Sequence, residues 1–129
     1  MVVDEVERAA LDDVFHALAD GTRRDIVVRT LEVEYSVSAL SRLYPMTFAA
    51  VQKHVAVLER AALVTKRRSG REQLVSGNVD TVRRAARLLD RLEVIWLARM
   101  ERFGAVLAED PEPGASAEGR KSMPEKGTA

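Results

Sequence analysis

The chain has 129 residues, a formal net charge of zero and no cysteine, and 47% of its residues are hydrophobic. This length is sufficient for one domain with a tail, and the absence of cysteine excludes disulfides, thiolate metal sites and thiol-based redox sensing. No apolar run approaches the ~20 residues that a transmembrane helix needs, so we expect a cytoplasmic protein without a membrane partner.

Three helices are predicted before Pro45. The first covers residues 5–18, because its apolar side chains recur at the i, i+3, i+4 and i+7 spacing of one helix face: Leu11, Val14, Phe15 and Leu18. Asp20 or Thr22 is expected to cap the second helix, and Ser36 precedes a short third one. The third helix should end before Pro45, since the residue before a proline resists helical torsion angles.

A fourth helix is predicted over residues 47–61. Thr47 caps it by accepting hydrogen bonds from free backbone amides of the first turn. Val51, Val55 and Leu58 form a narrow apolar stripe that should face the core. The outward face carries Phe48, Ala49, Gln52, Lys53 and Ala56. Such a helix is able to lie in a DNA groove.

A β-hairpin is predicted over residues 63–75, directly after the fourth helix. Leu63-Val64-Thr65 favours a strand, Ser69-Gly70 marks a turn, and Gln73-Leu74-Val75 favours the returning strand. Residues 63–77 hold four cations against one acid, a net charge of +3, whereas residues 1–19 hold five acids against one arginine. Because local clustering of charge decides where phosphate binds, the hairpin is the better candidate for a DNA contact.

A long last helix is predicted from Asn78 to Asp110. Its apolar residues recur at steps of three and four, which is close to a heptad seam: Val82, Ala85, Leu89, Leu92, Trp96, Met100, Phe103 and Leu107. One small domain cannot easily cover so broad a face, whereas a second copy of the chain can. The predicted homodimer interface therefore combines the first and last helices, through Leu11, Val14, Phe15, Leu89, Leu92, Trp96, Met100 and Phe103.

The remaining sequence supports neither more folded structure nor catalysis. Residues 110–129 contain prolines, glycines and serines without apolar periodicity, which predicts a disordered tail after a domain of residues 1–109. With two histidines, no cysteine and no phosphate-binding glycine loop, no catalytic set can be assembled. We therefore expect neither an enzyme nor a cofactor.

The sequence resembles a known family in four short segments. Residues 15–24, which read FHALADGTRR, resemble the "ALADxTRR" opening of the ArsR/SmtB winged-helix repressors, and residues 36–40, 46–47 and 51–64 resemble their helix-turn-helix. The resemblance covers about residues 10–107. It implies a mainly α fold with a small β-hairpin, a winged helix-turn-helix dimerised through its first and last helices. It also implies a homodimeric transcriptional regulator, usually a repressor released by a small-molecule effector, that recognises a pseudo-palindromic operator.

The chain departs from this family pattern in three respects. Gln52 stands where the family more often has serine, so the base preference does not transfer. Ala62 stands where glycine is common; because alanine is strained in a left-handed cap, a cap of another shape is expected. The third helix lacks paired thiolates and the last helix has no histidine. The chain therefore resembles the metal-independent branch, and no metal site is expected.

Roles in DNA binding follow from side-chain chemistry in the fourth helix. Gln52 is predicted to bridge N6 and N7 of adenine, the alternative being an ordinary solvated residue. Lys53 and the hydroxyl of Thr47 are expected on phosphates. Phe48 and Ala49 suit a thymine methyl group, and for Phe48 packing against the preceding turn is equally open.

The other candidate DNA contacts are less sharply defined. His54 flanks the apolar stripe, so a phosphate contact and a packed scaffold role both remain open. The hairpin carries Lys66, Arg67, Arg68 and Arg71, of which two or three can reach one duplex because strand side chains alternate. A tip arginine in a narrow minor groove is the family-like role, and protection of the ribbon edge is compatible with it. Arg23 and Arg24 are assigned either phosphate contacts or surface ion pairs.

Two rival functions remain open. The first is a dimeric protein-interaction module with a winged-helix fold that does not bind DNA, which the zero net charge and the acidic first helix favour. The second is a metal-responsive repressor that uses His16, His54 and carboxylates. The main interpretation is a homodimer whose partners are double-stranded operator DNA and an unidentified small-molecule effector.

Overall fold

The structure, a computed structural model, describes residues 2–109, with side chains described for residues 4–108. Five helices and three strands follow in chain order: α1 (Val2–Ala17), α2 (Gly21–Glu32), β1 (Tyr35–Ser36), α3 (Val37–Ser41), α4 (Phe48–Arg60), β2 (Val64–Ser69), β3 (Glu72–Gly77) and α5 (Val79–Glu109). This order confirms the predicted mainly α fold with a winged helix-turn-helix. The predicted disordered tail lies outside the described residues.

Side chains cap the helices that the sequence predicted. The carboxylate of Asp20 accepts the backbone N–H of Arg23 at 3.0 Å and so begins α2. The Ser36 hydroxyl accepts the backbone N–H of Ala39 at 3.0 Å and begins α3. Each cap pairs an N–H group that has no partner within its helix. Local sequence therefore fixes where these helices start.

The sheet has three antiparallel strands in the order β1-β3-β2, one more than the predicted hairpin. β1 has two residues, and Tyr35 pairs with Val75. The β2–β3 turn contains Gly70 in the left-handed region, at a φ of 63°. At Gly77 a side chain would collide with Leu31, because a Cβ atom there would lie 2.7 Å from the leucine side chain. Glycine thus allows β3 to approach α2 closely.

The core is formed by apolar side chains from the helices and the sheet. Its largest fully buried aliphatic members are Ile26, Leu40, Val51, Val55, Leu58, Leu63, Val64 and Val75. Val51, Val55 and Leu58 are the predicted inward stripe of α4, and their burial is confirmed. Burying a side chain of this kind contributes about 1.5–3 kcal/mol. This packing fixes which face of α4 points outward.

The connection from α4 to β2 contains a strained residue. Ala62 adopts a φ of 64°, so the expected cap of another shape was wrong. The Ala62 N–H donates to Glu59 O and the Leu63 N–H donates to Leu58 O, both at 2.9 Å. These two bonds form a Schellman motif, and the buried side chains of Leu58 and Leu63 supply its usual apolar contact. The hydrogen bonds and the burial hold alanine in a conformation that favours glycine.

Asn78 fixes this connection to the start of α5. Its side-chain amide donates to Ala62 O at 3.0 Å, and its own backbone N–H donates to Leu63 O at 2.9 Å. Its side-chain oxygen accepts the backbone N–H of Asp80 at 3.1 Å. The hairpin of β2 and β3, called the wing below, is therefore held at its base by α4 and by the residue before α5.

The chain divides into two units, Met1–Leu88 and Leu89–Ala129. The helices and strands before α5 belong to the first unit. In the second unit, large apolar side chains of α5 are exposed, among them Leu89, Leu92, Ile95, Trp96, Met100 and Phe103. The guanidinium of Arg99 lies 5.7 Å from the centre of the Trp96 ring, within the range of a cation–π interaction.

Candidate nucleic-acid interface

The N-terminus of α4 is fixed by a side-chain cap. The Thr47 hydroxyl oxygen accepts the backbone N–H of Ala50 at 3.0 Å, which confirms the predicted cap. This bond uses the oxygen as an acceptor, so the hydroxyl hydrogen remains able to donate. Thr47 is exposed at the beginning of the helix.

The turn before α4 is tied to α2 by a polar network that the sequence analysis missed. The Tyr44 hydroxyl donates to the Asp25 carboxylate at 2.5 Å, and Arg29 Nε donates to the same oxygen at 2.8 Å. The hydrogen bond from Tyr44, followed by that from Arg29, lowers the pKa of Asp25 below its ordinary value. Partial burial, followed by the hydrogen bond to Asp25, raises the pKa of Tyr44 to about 12. The network links the turn before α4 to α2.

The outward face of α4 carries the residues predicted for base contacts. Phe48 is 46% exposed, so a large part of its surface is available to a partner. Ala49, Gln52 and Lys53 are also exposed. The structure therefore brings these four residues together on one accessible face.

His54 lies beside this face and is partly buried. Its Nδ1 atom is 3.2 Å from Nη1 of Arg23. Because an arginine can only donate, Nδ1 of His54 is on the accepting side of this contact. This contact corresponds to the scaffold role that the sequence left open for His54.

Arg23 and Arg24 have a role that the sequence analysis did not anticipate. Arg23 Nε donates to Ala17 O and Arg24 Nη1 donates to Leu18 O, each at 2.8 Å. These carbonyls belong to the end of α1, where helices leave carbonyl groups without intrahelical partners. The two arginines therefore cap α1 from the following helix. The sequence feature that could have indicated this role is that each arginine lies six residues after the carbonyl that it caps.

The wing presents its cations on two faces. Lys66 and Arg68 share a face with the buried Val64, whereas Arg67 lies on the other face, since strand side chains alternate. Lys66 Nζ is 3.3 Å from the carboxylate of Glu59 in α4. Arg68 Nε donates to Gly70 O at 3.3 Å within the turn. How many of these cations reach one duplex stays a prediction.

A cavity of about 240 Å³ lies between α4 and the wing. Its lining includes Phe48 and Gln52 from α4 and Lys66 and Arg71 around the wing. Four predicted DNA-binding residues thus border one concave surface. No carboxylate of residues 4–108 lies within 4.0 Å of the guanidinium of Arg71, so among these residues Arg71 has no ion-pair partner.

Arg67 was predicted to contact DNA, but in the structure it pairs with a carboxylate. Its Nε and Nη2 atoms donate to the two carboxylate oxygens of Glu34 at 3.0 and 2.9 Å. The Ser76 hydroxyl donates to Glu34 Oε2 at 2.9 Å. The hydrogen bond from Arg67, followed by that from Ser76, lowers the pKa of Glu34. This pairing joins residues 33 positions apart, so no local pattern could have indicated it.

The residues predicted for a dimer interface fall into two groups. In the first unit, Val14 is only 2% exposed and belongs to the core of its own subunit, so it offers no surface to a partner. Leu11 and Phe15 are partly buried against that core. In the second unit, five predicted residues of α5 are between 38% and 59% exposed: Leu89, Leu92, Trp96, Met100 and Phe103.

In the described part of the chain, no group of three or more His, Cys, Asp or Glu side chains could hold a metal ion. No helix among these residues is long and apolar enough to cross a membrane.

Comparison with known proteins finds similarity to transcriptional regulators. No protein-family model matches it. A segment of 59 residues is 44% identical to the HTH-type transcriptional regulator Rv2034 of Mycobacterium tuberculosis; it covers 46% of this chain and 55% of that protein, about half its length. The fold matches the ArsR-like transcriptional regulator of Rhodococcus sp. RHA1 with a TM-score of 0.68 at 29% identity, over 77% of this chain and 93% of the other. The chain is thus similar to ArsR-type transcriptional regulators over about three quarters of its length.

Another ArsR-type structure supports the fold assignment. The homodimeric winged helix-turn-helix DNA-binding domain of Mb0332 from Mycobacterium bovis, a possible ArsR-family regulator, matches with a TM-score of 0.56 at 22% identity. That match covers 71% of this chain and 83% of the domain. The proteins that this chain resembles are transcriptional regulators, a class without catalytic activity.

Proposed function

We propose that this chain is a DNA-binding transcriptional regulator that reads an operator with α4 and the wing. The observation that carries the proposal is the shared concave surface, where Phe48 and Gln52 of α4 meet Lys66 and Arg71 of the wing. A helix in the major groove with a cationic ribbon beside it allows base and phosphate contacts to be made together.

Individual roles follow from exposure and chemistry. The amide of Gln52 bridges N6 and N7 of adenine, which distinguishes an A·T pair in the major groove. Phe48 and Ala49 contact a thymine methyl group. Lys53 and the free hydroxyl hydrogen of Thr47 bind phosphates, and these contacts are independent of sequence. His54 supports α4 through Arg23 and is not proposed as a base contact.

We propose that two copies assemble through α5. The support is the row of exposed side chains from Leu89 to Phe103, because monomeric proteins rarely expose so long an apolar surface. The homodimeric state of Mb0332 is consistent with it. Leu11 and Phe15 of α1 are retained as a minor part of the interface, whereas the buried Val14 is not. A two-fold dimer places two α4 helices in successive major grooves, about one DNA turn apart.

Regulation is proposed in its simplest form, as repression by a dimer that covers the promoter. An unidentified organic effector would release it, and the exposed apolar side chains of Met100, Phe103 and Val106 on α5 are the proposed contact for such a molecule. A reporter gene placed behind a DNA sequence that the protein binds distinguishes repression from activation.

Fluorescence anisotropy with a labelled mixed-sequence duplex tests DNA binding over a series of salt concentrations. We expect the wild type to bind at low salt and to weaken steeply as salt rises, because bound counterions are released. Lys53→Ala should flatten the slope of log K against log salt by about 1. The matched control is Arg87→Ala, which removes an exposed α5 cation and should leave the slope unchanged. Absence of binding at low salt would favour the rival protein-interaction module.

A further inference from the structure

We propose that Glu34 is a specificity-determining residue that holds Arg67 away from DNA. The proposal rests on the proposed function and refines it. The wing has four cations, but Glu34 keeps one of them from adding a sequence-independent phosphate contact. Of the other three wing cations, Lys66 is 3.3 Å from the carboxylate of Glu59 in α4, whereas Arg68 and Arg71 have no carboxylate partner among residues 4–108.

The contact between Glu34 and Arg67 has the geometry of a strong ion pair. Two parallel N–H···O bonds of 3.0 and 2.9 Å join the guanidinium to the carboxylate. Such bidentate pairs add geometric specificity to the charge attraction. Ser76 donates a third hydrogen bond to the same carboxylate at 2.9 Å, which fixes its orientation. The carboxylate of Glu34 is thereby held in place by both Ser76 and Arg67.

The register of the sheet explains why these three residues meet. Tyr35 pairs with Val75, so the residue before Tyr35 lies opposite Ser76 in the continued register. Thr65 pairs with Ser76, and Arg67 is two residues further along β2, on the same face. Side chains that alternate along a strand place Glu34, Ser76 and Arg67 together on this face.

This face is not the one that borders α4. Lys66 and Arg68 lie on the side of β2 that carries Val64, and Lys66 reaches Glu59 of α4. The cavity next to Gln52 is lined by Lys66 and Arg71, and Arg67 is not part of its lining. Arg67 is therefore turned away from the surface proposed to read bases.

Arg67 nevertheless remains able to reach phosphate if it is released. Its side chain is 62% exposed, whereas that of Glu34 is 33% exposed. The hydrogen bonds from Arg67 and then Ser76 lower the pKa of Glu34, so the carboxylate is ionised at neutral pH. Without this carboxylate, the long arginine side chain is free to swing to the adjacent DNA backbone. Each new phosphate contact steepens the salt dependence but adds no base discrimination.

The test is a double-mutant cycle on the binding of a mixed-sequence duplex. Glu34→Gln should steepen the slope of log K against log salt by about 0.9, the value for one additional phosphate. The affinity ratio between 50 and 200 mM salt would then grow by about 3.5-fold. Arg67→Ala alone should leave the wild-type slope unchanged. The double variant Glu34→Gln, Arg67→Ala should return to that slope, because the gain depends on Arg67.

Two further measurements separate this mechanism from simpler effects. Glu32 is an exposed residue of α2 that lies two residues before Glu34. Glu32→Gln removes the same charge, and it should not alter the slope of log K against log salt. In NMR spectra of the free protein, the Arg67 Nε–H signal should be protected from exchange and should lose that protection in Glu34→Gln. A thermal unfolding curve for each variant verifies that it folds.

Three outcomes would overturn the role of Glu34 while DNA binding stands. The first is a slope of log K against log salt that is shallower in Arg67→Ala than in the wild type. The second is a steepening that persists in the double variant. The third is an equal steepening in Glu32→Gln. Failure of the wild type to bind any duplex is a different result, which would overturn the proposed function and this refinement with it.

Discussion

Replacing Ala62 by glycine should stabilise the protein, although it removes a methyl group. At a φ of 64°, Ala62 has a left-handed backbone, which costs an L-residue roughly 1–2 kcal/mol. Glycine avoids this cost, but its greater freedom in the unfolded chain offsets about 0.4–1 kcal/mol. The hydrogen bonds of the Schellman motif use backbone atoms only and are retained. We therefore expect Ala62→Gly to raise the free energy of unfolding by about 0.5–1 kcal/mol.

Thermal and urea unfolding at one fixed protein concentration measure this effect, because dimerisation would make Tm depend on concentration. A gain of 1 kcal/mol corresponds to a rise in Tm of about 4–8 °C for a domain of this size. The matched control is Ala61→Gly, since Ala61 has an ordinary φ of −82° and is buried. Ala61→Gly should lower stability by about 0.5–1 kcal/mol. If both variants are destabilised alike, the strain assigned to Ala62 is wrong.

Three more predictions concern the cap, the polar network and the dimer. Thr47→Ala should lower the free energy of unfolding in urea by about 1 kcal/mol, whereas Thr47→Ser should retain most of it. Asp25→Asn should be less stable than the wild type near neutral pH, and urea unfolding at several pH values should show the difference shrinking below pH 3.8. The sign follows because the folded-state pKa of Asp25 is lowered, so its stabilisation is lost as the carboxylate becomes protonated. Trp96→Glu should shift the protein from dimer to monomer in analytical ultracentrifugation, and an unchanged dimer would exclude this part of α5 from the interface.

Much of the fold was predictable because its signals are local. Capping side chains such as Asp20 and Thr47 act within one helical turn, and the apolar stripe of α4 repeats at helical spacing. Strand β1 was missed because two residues are too few to show an alternating pattern. The shape at Ala62 was predicted wrongly, since the hydrogen bonds and the burial of Leu58 and Leu63 outweigh the preference of alanine.

The candidate site was less predictable because its polar partners are distant in sequence. Arg67 and His54 were recognised as notable, but their contacts with Glu34 and Arg23 span 33 and 31 residues. Such pairs depend on how the sheet and helices are brought together, and composition carries no information about that. The exposure of Gln52 and Lys53 followed directly from the helical period and did not need the tertiary structure.

Selection of bound sequences from a randomised pool of duplexes tests the central proposal most directly, with Gln52→Ala run in parallel. We predict that the wild type enriches an inverted repeat whose half-sites are centred about 10 base pairs apart. Gln52→Ala should relax the choice at one base pair per half-site, with a loss of about 1–3 kcal/mol of discrimination there. Enrichment of no symmetrical sequence, or an identical preference in Gln52→Ala, would contradict the account.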